Sequence, residues 1–260
     1  MRALLLLFVS ILPVYLVGRY IYNKDRDKEP VGLIVELFFC GVAAFVLTIF
    51  ATIFLGMFFP SLLSENFDTD LLSLFFRVFL GVALVEELSK WIFVYKVSFN
   101  HIEFDQVYDM MVYAAFVALG FACIENIFYV FEHGFRVGVI RGLLAVPGHA
   151  CDGVLMGYYL SMAKLCEVRD DKESKSNSIF MSILIPVLLH GFYDYCLFAQ
   201  RFLFIGMFVI FIIILYIIVV RRIKKVSALS QKIEYKYNFC MNCGRPVDGN
   251  YCSNCGFKNE

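Results

Sequence analysis

Apolar residues run through this chain in long blocks rather than in short alternating strips. Seven blocks reach or approach spanning length, at about 3–22, 33–60, 71–95, 108–131, 139–165, 179–199 and 202–220. A membrane helix needs roughly 20 mostly apolar residues, so the pattern predicts an all-α polytopic membrane protein of about seven transmembrane helices. Composition agrees. Of the 260 residues 60% are hydrophobic, with a mean hydropathy of +0.73, whereas soluble domains hold about 45–50% apolar residues. The first block ends in Arg19-Tyr20-Ile21-Tyr22 with no small-residue cleavage site, which predicts an uncleaved anchor rather than a signal peptide.

Basic residues cluster in alternate connections. Lys24, Arg26 and Lys28, then Lys96, then Lys164, Arg169, Lys172 and Lys175, then Arg221, Arg222, Lys224 and Lys225 follow the odd-numbered blocks, and the segment 61–70 has no basic residue. The asymmetry predicts an N-terminus outside and a C-terminus in the cytoplasm of a cell membrane. Net charge is zero, and no basic stripe points to nucleic acid.

The blocks set a membrane domain over 1–225, followed by a polar linker over 226–238 and a module over 239–260. That module carries Cys240-x-x-Cys243-Gly and Cys252-x-x-Cys255-Gly, with eight residues between the knuckles. Four thiolates at this spacing suit one tetrahedral zinc, and a four-sulfur site has no open position, so the zinc is expected to be structural. The module resembles the short zinc-ribbon tails of many prokaryotic proteins. A reducing cytoplasm disfavours the alternative of two disulfides. Docking of a cytoplasmic protein partner is the expected use of such a ribbon.

Ionisable groups interrupt the apolar blocks at Glu86, Glu87, Lys90, Glu125, His149, Asp152, His190 and Asp194. Each charge at mid-bilayer costs roughly 2.5–3.5 kcal/mol on insertion scales, so a cluster of them signals a functional site. Glu86 and Lys90 stand four apart with the acid first, the favourable order for an intrahelical pair. That pairing leaves Glu87 to find another partner or a proton. Glu125-Asn126 sits among glycine and alanine, which permit close helix approach, and Asp194 lies one turn from His190, placed to orient it. Pro147 precedes His149 and Pro186 precedes His190. A proline frees a carbonyl one turn back, which a wet pocket tolerates.

These motifs, E-E-x-x-K at Glu86, Glu87 and Lys90, F-x-x-x-E-N at Phe121, Glu125 and Asn126, and H-x-x-x-D at His190 and Asp194, resemble the PrsW family of bacterial intramembrane proteases, related to the CAAX-protease and bacteriocin-processing group. The resemblance covers about 80–195 and extends to Asp109, Gly120-Phe121-Ala122 and Pro147-Gly148-His149. It implies hydrolysis of a membrane-anchored protein in the lipid bilayer, anti-sigma factors being the best-known substrates. The zinc ribbon and two extra helices depart from the family pattern.

Peptide hydrolysis needs a base, oxyanion donors and a proton for the leaving amine. Glu86 or Glu87 is the expected base, with Lys90 holding the other carboxylate. His190 and Asn126 are expected as oxyanion donors, with Asp194 orienting His190 and Glu125 as a second acid. Two histidines and a glutamate also suit a catalytic metal, and the sequence leaves that choice open. Simple counting puts Glu86 in the inner half of its helix but Glu125, His149 and His190 in the outer halves of theirs. A proton-coupled transporter or channel, and a non-catalytic scaffold with a docking ribbon, are the alternatives.

Overall fold

The structure, a computed structural model, describes residues 2–62, 70–229, 231–235, 238–240, 242–247 and 251–258. Nine α-helices occupy the described membrane part: α1 (Arg2–Lys24), α2 (Val31–Phe58), α3 (Leu71–Phe76), α4 (Leu84–Ser98), α5 (Val107–His133), α6 (Phe135–Leu143), α7 (Ala145–Val168), α8 (Lys172–Phe198) and α9 (Phe202–Leu229). Six helical runs are individually long and apolar enough to cross a membrane, with α6 and α7 forming one run over Phe135–Val168. The seventh expected segment is also helical throughout, since α3 and α4 are joined by a π-helical stretch, Arg77–Ala83.

The central element is α5, which is buried around its whole circumference over most of its length and packs against α1, α2, α4, α6, α7 and α9. Small residues make this possible. A Cβ added at Gly120 would stand 1.9 Å from the Phe38 carbonyl oxygen on α2, and one added at Gly157 on α7 would stand 2.1 Å from that of Met110. The outer helices expose their apolar faces instead, with Leu4, Phe8, Phe50, Phe54, Ile210 and Ile213 pointing outward, as lipid-facing surfaces do.

Pro147 stands in the first turn of α7, and the helix break before it is visible at Leu144 (φ −117°, ψ −60°). The missing amide of Pro147 frees the Leu143 carbonyl. A tyrosine takes its place: the Tyr216 hydroxyl on α9 donates to the Leu143 oxygen at 3.2 Å and to that of Leu144 at 2.9 Å.

Beyond the membrane blocks, α9 continues to Leu229, so Arg221–Lys225 are inside the helix. Of the expected linker 226–238, residues 230, 236 and 237 lie outside the described residues. Residues 231–235 run along the entrance to α5, where the Val107 amide donates to the Gln231 carbonyl at 3.0 Å and the Ile233 amide to that of Asp105 at 2.7 Å. Ile233 is buried and the Tyr235 hydroxyl donates to the Phe104 carbonyl.

In the tail, β1 (Asn238–Phe239) pairs antiparallel with β2 (Pro246–Val247). Gly244 (φ +68°) and Gly256 (φ +71°) take the left-handed conformation that closes each knuckle. Residues 241, 248–250, 259 and 260 of this module, and 63–69 of the expected outer loop, lie outside the described residues.

Candidate active site

Four helices bring the eight membrane-block candidates into one cluster: Glu86, Glu87 and Lys90 from α4, Glu125 and Asn126 from α5, His149 from α7, and His190 and Asp194 from α8. The depth mismatch expected from counting disappears because His149 lies near the middle of the 34-residue α6–α7 run and because the π-helical stretch, which ends three residues before Glu86, changes the rise and phase of the helix carrying Glu86.

The Lys90 ammonium donates to Glu87 Oε1 at 2.7 Å and stands 3.5 Å from Glu86 Oε2. The expected pairing is thus reversed: Lys90 serves Glu87 at i−3 more closely than Glu86 at i−4. Both spacings lie on one helix face, and tertiary contacts decide between them. Glu87 is held from the other side as well, since His190 Nδ1 lies 2.8 Å from the same Oε1. Glu87 is fully buried, whereas the Glu86 side chain keeps 14% of its surface exposed.

Lys90 also donates to His149 Nδ1 at 3.2 Å and lies 3.9 Å from the centre of the Phe121 ring. The phenylalanine of F-x-x-x-E-N therefore caps the ammonium through a cation–π contact. An ammonium only donates, so Nδ1 accepts and the ring proton of His149 sits on Nε2, which lies 3.0 Å from Glu125 Oε2. Glu125 Oε2 also accepts from Arg141 at 2.7 Å. Asn126 is fully buried behind this layer, donating to the Ser10 carbonyl at 3.0 Å and accepting from Arg141 Nε at 3.3 Å. His190 Nε2 faces Asp194 Oδ2 at 3.4 Å and Glu86 Oε2 at 3.8 Å.

A cavity of about 430 Å³ opens onto this cluster. Its wall includes Glu86, Glu125, Arg141, His149, Asp152 and His190. Two of these residues have roles that motif reading did not give them. Asp152 stands three residues after His149, on the same face, buried, with Oδ1 lacking any hydrogen bond; the H-x-x-D spacing was the available signal. Arg141, which belongs to none of the motifs, reaches back from α6 to both members of the Glu125-Asn126 step.

Among the described residues, five carboxyl groups (Glu86, Glu87, Glu125, Asp152 and Asp194) meet two permanent cations, Lys90 and Arg141. A buried site with that imbalance must take up protons or a further cation. Glu87, His149, Asp152 and His190 each offer a donor atom within 4.8 Å of the others, and two imidazoles with carboxylates are a donor set that zinc accepts. Glu87 Oε2 and Asp152 Oδ1 have no hydrogen-bond partner, so the residues fit such an ion, with the Lys90 ammonium as its competitor for Glu87 and His149.

In the tail, Cys240 Sγ lies 3.6 Å from Cys255 Sγ and Cys243 Sγ 3.5 Å from Cys252 Sγ. All four sulfurs fall within 4.8 Å of one another, and four sulfurs at about 2.3 Å from one ion are about 3.8 Å apart. The cluster is able to bind a metal ion. The backbone amide of Arg245 brings the Cys243 thiol down to about 6.

A multi-pass helical membrane protein with an acid–histidine cavity between its helices has the architecture of an intramembrane hydrolase, and the comparisons with known proteins are specific. Residues 29–220 match the family described as "PrsW family intramembrane metalloprotease". The chain is 36% identical over 224 residues to Protease PrsW of Oceanobacillus iheyensis, covering 85% of this chain and 96% of that protein. It is 38% identical over 182 residues to Protease PrsW of Bacillus subtilis (69% and 77%) and 30% identical over 229 residues to that of Halalkalibacterium halodurans (87% and 99%). No solved structure matches. The chain belongs to the PrsW family and is an intramembrane protease.

Proposed function

We propose that Glu86 is the general base that activates water for peptide hydrolysis in a membrane-anchored protein, and that an anti-sigma factor is the substrate. One observation carries the choice within the glutamate pair: Glu86 lines the cavity, while Glu87 is sealed beneath it between Lys90 and His190. As the water oxygen attacks the scissile carbonyl, its proton passes to the Glu86 carboxylate, which then delivers it to the leaving amine. His190, oriented by Asp194 and Glu87, donates to the developing oxyanion, with Arg141 as a second donor on the same wall. Glu125 anchors His149 and Arg141, and Asn126 holds Arg141 against α1. Lys90 positions Glu87 and His149.

A second reading has the unpartnered oxygens of Glu87 and Asp152 in its favour. Glu87, His149, Asp152 and His190 are the residues that would hold a catalytic metal. Bound there, such an ion would supply Lewis acidity to the reaction, while Glu86 remains the group that lines the cavity.

The tail at 239–260 serves as a structural zinc ribbon that docks a cytoplasmic protein, and the membrane domain keeps the proteolytic machinery. The basic-loop asymmetry supports an N-terminus outside and the ribbon in the cytoplasm. Co-expression with tagged single-span proteins tests the activity: the wild type yields a shortened fragment and Glu86→Gln does not. Equal fragment from both proteins contradicts the assignment.

A further inference from the structure

A second buried acidic group lies apart from the catalytic cluster, at the other end of α5. Asp25 and Glu29, from the connection between α1 and α2, converge with Asp109 in the first turn of α5, and all three are at least 95% buried. From Asp109 to Glu125 is sixteen residues of helix, about 24 Å at 1.5 Å per residue, so the two sites are independent.

We infer that Asp25, Glu29 and Asp109 form a binding site for a hard divalent cation, calcium or magnesium, that ties the α1–α2 connection to the head of α5. One carboxylate oxygen from each residue lies within 4.8 Å of the other two, the widest separation that two ligands of one ion at about 2.4 Å can have. The donors are all oxygen, which selects a hard cation over zinc or copper. Two of the three side chains hold an oxygen without a hydrogen bond, Oδ2 of Asp25 and Oδ1 of Asp109. A buried carboxylate oxygen left unpaired is costly unless a cation or proton meets it.

Hydrogen bonds to the other oxygen hold two of the carboxyl groups in place. Asp109 Oδ2 accepts from the amides of Asp105 at 3.0 Å and Gln106 at 2.6 Å, and Glu29 Oε2 accepts from the Tyr113 hydroxyl. The Lys28 ammonium, whose charge acts on Asp25, makes its hydrogen bonds to backbone, to the Tyr22 and Asp25 carbonyls at 2.5 and 2.6 Å. A cavity of about 160 Å³ has Glu29 in its wall, together with Asp27, Lys28, Glu103 and Asp105.

The test uses the full-length protein in detergent micelles and terbium, a luminescent calcium substitute excited through tyrosine, with Tyr113 as the built-in donor. One saturable site is expected, displaced by calcium or by magnesium; whichever competes better identifies the ion. Asp25→Asn and Glu29→Gln should each weaken terbium binding at least about tenfold, or 1.4 kcal/mol, while Glu87→Gln at the distant cluster leaves it unchanged. Thermal unfolding without added ion should show Asp25→Asn as stable as the wild type or more so, because it removes an uncompensated carboxyl group. Terbium affinity unaffected by Asp25→Asn and Glu29→Gln, loss of signal in Glu87→Gln alone, or failure of both calcium and magnesium to compete overturns the site and leaves carboxyl groups that share protons.

Discussion

The Lys90 ammonium of α4 lies 3.2 Å from Nδ1 of His149 on α7 and donates to it. A lysine that touches a histidine, a carboxylate and an aromatic ring at once is a buried cation around which the site is assembled. Its charge is matched most closely by Glu87 on the same face of α4, so removing either group leaves the other without its permanent charge partner at hydrogen-bond distance.

Lys90→Met should therefore destabilise the protein by about 3–5 kcal/mol, the cost of leaving a buried charge without its partner. Lys90→Arg should not restore activity, because a planar guanidinium cannot reproduce the ammonium's contacts with Glu87, His149 and Phe121. Thermal unfolding in detergent, paired with cleavage assays, measures both effects. A Lys90→Met protein of wild-type stability would show that the ion pair contributes nothing.

Tyr216→Phe removes the hydroxyl that serves the Leu143 carbonyl and shares that of Leu144 with the Gly148 amide at the α6–α7 break. Loss of a partly buried hydrogen bond costs about 0.5–1.5 kcal/mol. The expected result is a lower unfolding midpoint with the metal content of the tail unchanged. An unaltered midpoint means that the break is satisfied in another way.

Much of the site is visible in the sequence because its parts repeat at helical spacing. Glu87 and Lys90, His149 and Asp152, and His190 and Asp194 each share a helix face by arithmetic alone. What joins one helix to another is not visible in this way. The approach of Lys90 to His149, the grip of Arg141 on Glu125 and Asn126, and the choice of Glu87 over Glu86 as partner of Lys90 depend on helix rotation and on close packing around α5. The π-helical stretch Arg77–Ala83 gives no periodic signal, since its residues are as apolar as their neighbours. Asp152 was visible as a charge in an apolar block, but its place in the wall of the cavity depends on how α7 packs against its neighbours.

Orientation is open to direct chemistry. Single cysteines placed in 61–70 should react with membrane-impermeant reagents in intact cells, and those in 166–178 only after the membrane is opened, following the basic-loop asymmetry. The reverse labelling pattern inverts the topology and moves the ribbon outside.

Deletion of 239–260 should lower bound zinc by one ion per chain and leave cleavage by the purified membrane domain within about twofold of the full chain, because a four-thiolate site has no position open to substrate. Cys243→Ser should also lose that zinc. Zinc content unchanged by the deletion contradicts the ribbon, and a folded but inactive truncation shows that the tail takes part in the catalytic structure.

The most direct measurement of the central claim compares Glu86→Gln with Glu87→Gln in vesicles that contain a single-span substrate. Glu86→Gln should cut the cleavage rate at least about 100-fold, as loss of a general base does, with an unfolding midpoint within about 2 °C of wild type, as expected where little packing is lost. Glu87→Gln should lower both rate and midpoint, since the oxygen shared by Lys90 and His190 loses its negative charge. Wild-type cleavage by folded Glu86→Gln would contradict the account.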